Sequence, residues 1–449
     1  RFNEGSIYVA SSFFTSVEKE ISANHRLNLT AFYTPNRRGK TSPITQEVFD
    51  RKGNKYNSYW GYQEGEIRNS RIQKVEEPVI MMNHYWNVSP NTTINSGVAY
   101  QFGKVGSSRI DYGGSRIFTG SENEEIFIGG GSNPDPAYYQ KMPSYFLRFE
   151  NDPDYRGAYL AQQDFLEDGQ LDWTSMYLAN QTLASIGGNS LYVLYEDRYD
   201  DKQFSASSIL RKELNTRTAL NAAVNYRNLK SDNFAEVLDL LGGNAYLDVD
   251  SFSEGEQAQN DLLHPNRLVT EGDKFKYHYQ LSAGELEAFS QIQYFGKKWE
   301  YYAGLDLSYT TYQRHGYFKN GNFPDNSLGE SDPVNFQNYS LKGGLTYKIT
   351  GRHILNLNSG YFTKPPTLRN TFSNARQNNN IVRNLKKEKV QVLDLSYVYR
   401  SPSVKGRITG FYGEFKDATE ISFYFADGIS GFGRDSTTAF VHEVLTGIG

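Results

Sequence analysis

The residue types that most often carry chemistry are present in this chain, but not at the spacings their chemistry needs. None of the 7 His falls in a His-Glu-x-x-His pair, and His84, His278 and His315 stand alone on expected strands, so nothing supports a zinc hydrolase. A phosphate-cradling loop needs a glycine five residues before Gly39-Lys40-Thr41, and Thr34 occupies that place. Gly428-Ile429-Ser430-Gly431 lacks the spacing of a nucleophile elbow. Asp248 and Asp250 open like a calcium loop, yet Phe252 sits at the third ligand position and no glycine follows at the required point. Without Cys there is no thiolate ligand, disulfide or cysteine nucleophile. The expectation is no catalytic residue, no metal and no cofactor.

What remains suits capture. Tyr56, Tyr59, Trp60 and Tyr62 cluster with Arg68 and Arg71, and Tyr138, Tyr139, Tyr145 and Phe146 recur in a second segment. Aromatic and Arg side chains give large rigid contact area and directed donors. They are therefore candidate ligand-binding residues, against the competing expectation that they pack loops onto one another. With Lys plus Arg at 47, Asp plus Glu at 51 and a net charge of -4, there is no basic footprint for nucleic acid.

The elements that must position these groups read as strands. Tyr339, Leu341, Gly343, Leu345, Tyr347 and Ile349 alternate with Asn338, Ser340, Lys342, Gly344, Thr346 and Lys348, so one face suits lipid and the other water. The chain is 38% hydrophobic with a mean hydropathy of -0.64, and no apolar run approaches the ~18 residues of a spanning helix. A β-barrel reconciles that polarity with a membrane, because only alternate residues meet lipid. The 34 Tyr and 28 Phe against 4 Trp fit an interfacial girdle.

Six hairpins are expected, over 6–21 with 26–34, 79–88 with 93–103, 203–214 with 217–229, 275–295 with 299–317, and around the turns Thr350-Gly351-Arg352 and Ser401-Pro402-Ser403; a further strand starts near Ile421. Every second connection is long: 35–77, 104–201, 230–273, 318–335 and 364–387. Short turns alternating with long loops describe an all-β transmembrane antiparallel barrel with long extracellular loops. Residues 104–201 are expected to form a partly structured extracellular loop, with a helix after Asp172 as its cap. Asn221, Asn225, Arg227, Asp306, Lys342 and Asp394 are expected to face the lumen. Roughly thirteen strands exceed a small barrel and suit part of one of about 22 strands, wide enough to need a plug. The chain starts at Arg1 and its final pattern stops mid-strand, which reads as one barrel domain over 1–449 without its N-terminal plug and C-terminal strands.

Several motifs resemble the barrel of TonB-dependent outer-membrane receptors of the Bacteroidetes type. They include Lys342-Gly343-Gly344-Leu345-Thr346-Tyr347-Lys348, Thr363-Lys364-Pro365-Pro366-Thr367-Leu368-Arg369-Asn370, Thr409-Gly410-Phe411-Tyr412, Phe423-Tyr424-Phe425-Ala426-Asp427-Gly428, Pro143-Ser144-Tyr145-Phe146-Leu147-Arg148, Gly169-Gln170-Leu171-Asp172-Trp173 and Asp239-Leu240-Leu241-Gly242-Gly243. The resemblance covers essentially all 449 residues, and each motif is structural. It implies a bacterial outer-membrane location, outer-membrane lipid around the wall, and solute capture at the loops. It also implies import powered by the TonB complex through a plug outside this chain, and in several relatives a surface lipoprotein lid. The acidic Asp197 to Asp201 segment and the aromatic loops would accept a small solute such as an iron chelate or a cobalamin, a peptide, or an oligosaccharide or other glycan. The alternative function is a receptor-like barrel serving as scaffold in an outer-membrane assembly or secretion complex.

Overall fold

The computed structural model describes residues 3–119, 125–427 and 438–448. Twelve long strands form a wall in which each pairs antiparallel with the next in sequence. They are β1 (Phe13–Ser22), β2 (His25–Tyr33), β3 (Val79–Ser89), β4 (Thr92–Asp111), β5 (Val193–Asn215), β6 (Thr218–Asp239), β7 (Lys274–Phe295), β8 (Trp299–Gly316), β9 (Val334–Lys348), β10 (His353–Lys364), β11 (Glu388–Arg400) and β12 (Lys405–Lys416). These are the six expected hairpins. Ala418–Asp427 begins the expected further strand and pairs with Thr438–Ile448. Residues 428–431, which include the end of one resemblance motif and the serine of the failed elbow, lie outside the described residues. Among the described residues no helix is long and apolar enough to cross a membrane.

Because side chains alternate, register fixes the faces. The rows Val98–Ala206–Tyr226–Leu286–Tyr309 and Ser208–Val224–Ala288–Leu307–Tyr339 run across neighbouring strands on one face. Most of their large members stay exposed, as apolar groups do when lipid is their solvent. Near the short turns, Trp299 stacks on Tyr347 at 4.2 Å and Tyr294 on Tyr301 at 4.9 Å between centroids, forming aromatic pairs at the rim of that band.

The strands run further at the long-loop end than alternation implies. Strand β4 continues to Asp111 and β5 starts at Val193, so the connection expected at 104–201 spans 112–192. At that end Tyr195, Glu196, Asp197 and Arg198 are buried in succession, because loops cover both faces and erase the period-two signal. The first strand is also shorter than expected, since Tyr8–Ala10 leaves the hairpin to pair with Asn36–Gly39.

A module built from 36–77 and 112–192 stands above β2–β6. Its helices are α1 (Gln46–Lys52), α2 (Pro143–Phe146), α3 (Tyr155–Glu167) and α4 (Trp173–Ser185). Thr45, Asp154 and Asp172 cap α1, α3 and α4 by accepting from the N–H groups of Val48, Gly157 and Ser175. The expected cap at Asp172 is thus in place, and α3 is an addition to the sequence reading. Val48, Tyr56, Met142 and Phe165 form one small core, and Leu171, Trp173, Met176, Tyr192, Leu194 and Leu241 another. A short strand meets the chain closely at Gly61, where a Cβ would lie 1.8 Å from the Leu171 carbonyl oxygen, so only glycine fits.

Candidate solute-binding mouth

The six residues expected to line the lumen share the face opposite the apolar rows. The registers place Asn221 with Gln291, Asn225 with Glu287, Arg227 with Glu285, Asp306 with Ser340, Lys342 with Gly304 and Asp394 with Asn358. The amide of Asn225 donates to Glu287 at 3.0 Å, Arg227 pairs with Glu285, and Asn358 donates to Asp394 at 3.0 Å. Lys342 lies 4.6 Å from the Phe289 ring centroid, and one Asp306 oxygen is buried without a partner. This face is a ladder of polar groups along the strands.

At its long-loop end the ladder meets a denser cluster. Strand β4 delivers Arg109 and β5 delivers Asp197, which form an ion pair. The loop after β10 folds inward, burying Phe372 in the core beneath the loops and bringing Arg376 to 3.5 Å from the same carboxylate. The guanidinium of Arg376 stands 4.5 Å from the Tyr277 ring centroid, and its side chain remains 46% exposed. Burial alone would lower the Arg376 pKa, but Tyr277 and Asp197 outweigh it and hold the group above its ordinary value. Lys40 sits in the field of Arg71, Arg38 and Arg109 as well as Asp197, and burial followed by these cations pushes its pKa down. Tyr195 and Tyr277 wall the Arg109–Asp197–Arg376 group, with Lys40, Arg38 and Arg71 beside it.

Behind the cluster the loops are fastened by groups that cannot also serve a ligand. Arg314, fully buried, donates to the Ala375 carbonyl at 2.7 Å and the Ser327 carbonyl at 2.9 Å, joining two loops. Lys276, in the left-handed region at φ 60, pairs with Asp111 and donates its backbone N–H to Asp248 at 2.9 Å. Asp248 also accepts from Asn260 and Arg267, both at 2.7 Å, so the stretch that opens like a calcium loop is a hydrogen-bonded brace. No group of three His, Asp or Glu placed to hold a metal occurs among the described residues.

The loop aromatics divide into packed and open members. Tyr56 is buried edge-on to Phe165 at 5.5 Å and donates to the Gly169 carbonyl at 2.7 Å; burial raises its pKa far above the ordinary tyrosine range. Trp60 is buried, while Tyr62 against it is 60% exposed. Arg68 lies 4.2 Å from the Trp173 ring centroid and pairs with Asp239 at 2.6 Å, welding the module to the end of β6. Tyr59 lies beneath Arg71, which belongs to the cationic field. Tyr138, Tyr139 and Tyr145 form an edge-to-face run, with centroids 4.9 and 5.6 Å apart. Of the ten loop residues singled out from sequence, only Arg71 lies beside the cationic cluster. The sequence marks Asp197 only as part of an acidic run and gives no sign of Arg109, Tyr277 and Arg376, whose convergence on it depends on strand register and an inward loop.

Solved structures with the same arrangement have little sequence in common with this chain. The copper transporter OprC matches with a TM-score of 0.54 at 11% identity, over 98% of this chain and 49% of its own. The ferric citrate transporter FecA in its unliganded form gives 0.51 at 9% identity, over 92% and 44%. The siderophore receptor PiuA from Acinetobacter baumannii gives 0.51 at 11%, over 95% and 52%. The fold is that of an outer-membrane receptor barrel. This chain spans about half the length of those barrel proteins. No protein-family model matches it, and no curated protein does. The apolar and polar rows lie on opposite faces of the wall, and the cationic cluster stands at its long-loop end.

Proposed function

We propose that this chain forms the wall and outer mouth of a TonB-dependent receptor in the bacterial outer membrane, capturing an anionic solute outside and passing it to the periplasm. The observation that carries this reading is the convergence of Arg109 and Arg376 on Asp197, within a field that also holds Lys40, Arg38 and Arg71. Asp197 balances only one of the two guanidinium groups that converge on it, so carboxylate or phosphate groups of a solute find directed, charge-assisted donors there. Tyr195 and Tyr277 add flat apolar faces. Below the mouth, Asn221, Asn225, Arg227, Asp306, Lys342 and Asp394 give weak successive contacts that permit onward release.

Long loops outside and short turns in the periplasm follow the usual orientation of such barrels. The names of the similar structures, a copper transporter, a ferric citrate transporter and a siderophore receptor, support transport of a scarce solute. The Bacteroidetes type rests on the sequence motifs, and energy from the TonB complex through a plug completes the reading. Native mass spectrometry after mild detergent extraction tests it. A small anionic solute should be retained by the natural protein and lost from the Arg109→Ala, Arg376→Ala double variant. Equal retention by that variant would overturn the assignment of the mouth.

A further inference from the structure

The carboxylate of Asp197 has two oxygens and three groups around it. Arg109 pairs with Oδ2. The hydroxyl of Tyr277 on β7 donates to Oδ1, and Nη2 of Arg376 stands 3.5 Å from that same oxygen. Ordinary N–H···O bonds run from about 2.7 to 3.2 Å, so Arg376 feels the carboxylate as a charge without bonding to it. Among the described residues, the N–H groups of Arg376 meet no acceptor at hydrogen-bond distance. A phenol is a neutral donor, and by occupying Oδ1 it leaves the charge of Arg376 unanswered.

The backbone that carries Arg376 is fixed on its own account. Arg314 donates to the carbonyl of Ala375 at 2.7 Å, immediately before it. The N–H groups of Gln377 and Asn378 close the turn on the Asn374 carbonyl at 3.1 and 3.0 Å. Only the side chain of Arg376 is left to choose between Asp197 and a solute. Its guanidinium lies 4.5 Å from the centroid of the buried Tyr277 ring, within the range of a cation–π contact. One residue thus holds the cation with its ring and, with its hydroxyl, the anion that would otherwise neutralise it.

Resting on the reading of this mouth as an anion-capture site, we propose that Tyr277 is its positioning residue: by donating to Oδ1 of Asp197 it keeps Arg376 out of the internal ion pair and available to a carboxylate or phosphate of the solute. Without that hydroxyl, a buried carboxylate oxygen loses its donor, which costs more than the bond itself was worth. Arg376, already 3.5 Å away, then closes on it. The solute must in that case compete with Asp197 for the same guanidinium.

A double-mutant cycle tests this, with citrate as a soluble tricarboxylate probe titrated calorimetrically into the whole protein in detergent at constant ionic strength. Tyr277→Phe keeps the ring and should weaken citrate binding roughly tenfold, the scale of one charge-assisted hydrogen bond. In an Asp197→Asn background no carboxylate is left to recapture Arg376, and the same substitution should change the affinity by less than about twofold. An equal loss in both backgrounds would mean that the hydroxyl acts through packing alone, and it overturns the proposal, as does unchanged binding by Tyr277→Phe. Citrate bound no better by the natural protein than by the Arg109→Ala, Arg376→Ala variant would instead sink the reading of the mouth itself, so the two failures are distinguishable.

Discussion

The wall and the module above it use the same apolar residue types and put them in opposite places. In the wall, Met82, Val224, Leu286 and Leu307 point away from the sheet and stay exposed. In the module, Tyr56, Phe165, Trp173 and Met176 turn inward and are sealed. A wall in lipid gains nothing by hiding its apolar groups and is held by its backbone ladder, since an unpaired backbone group in hydrocarbon costs several kcal/mol. A module in water must build a core. The same chain thus obeys two solvents.

The contrast predicts which substitutions act on which part. The largest effect is expected from Trp173→Ala, which removes a sealed side chain together with the surface against which Arg68 stacks. It should cost about 3–5 kcal/mol. Limited proteolysis should then cut the module while the wall keeps its heat-modifiable migration, and loss of both together would break the distinction. Leu307→Arg attacks the other part. A charge on the lipid face of the wall should cost about 2–4 kcal/mol in folding into vesicles, read by denaturant titration, with module proteolysis unchanged. Tyr62→Ala should shift stability by less than about 0.5 kcal/mol, because the ring is exposed. A change in solute retention by that variant would then report binding, which deletion of 56–62 cannot do because Tyr56 and Trp60 are core.

The two regions also differ in how much of them the sequence displays. In the wall, Leu341 and Leu345 against Lys342 and Thr346 announce faces by themselves, since alternation is local and one face meets lipid. Turns such as Thr350-Gly351-Arg352 fix the hairpins. The module offers no such period. Asn180, fully buried, donates to the carbonyls of Tyr192 and Leu240 and accepts from the N–H groups of Leu191 and Tyr192, yet nothing near it in sequence marks that role. Arg68 looked like a ligand donor because its partner Asp239 is 171 residues away. The mouth was hidden for the same reason, as Arg376 reaches Asp197 only through an inward loop. The Asp172 cap was legible because capping is decided within one turn of helix.

Because this sequence contains no Cys, single cysteines report solvent cleanly. The decisive measurement labels Val224→Cys, Asn225→Cys and Tyr62→Cys with a membrane-impermeant maleimide, in isolated membranes and on intact cells. The account predicts that Tyr62→Cys labels on intact cells, Asn225→Cys labels in membranes, and Val224→Cys resists until detergent strips the lipid. Equal labelling of Val224→Cys and its neighbour Asn225→Cys in membranes, or labelling of Tyr62→Cys only after the cells are broken, would contradict it.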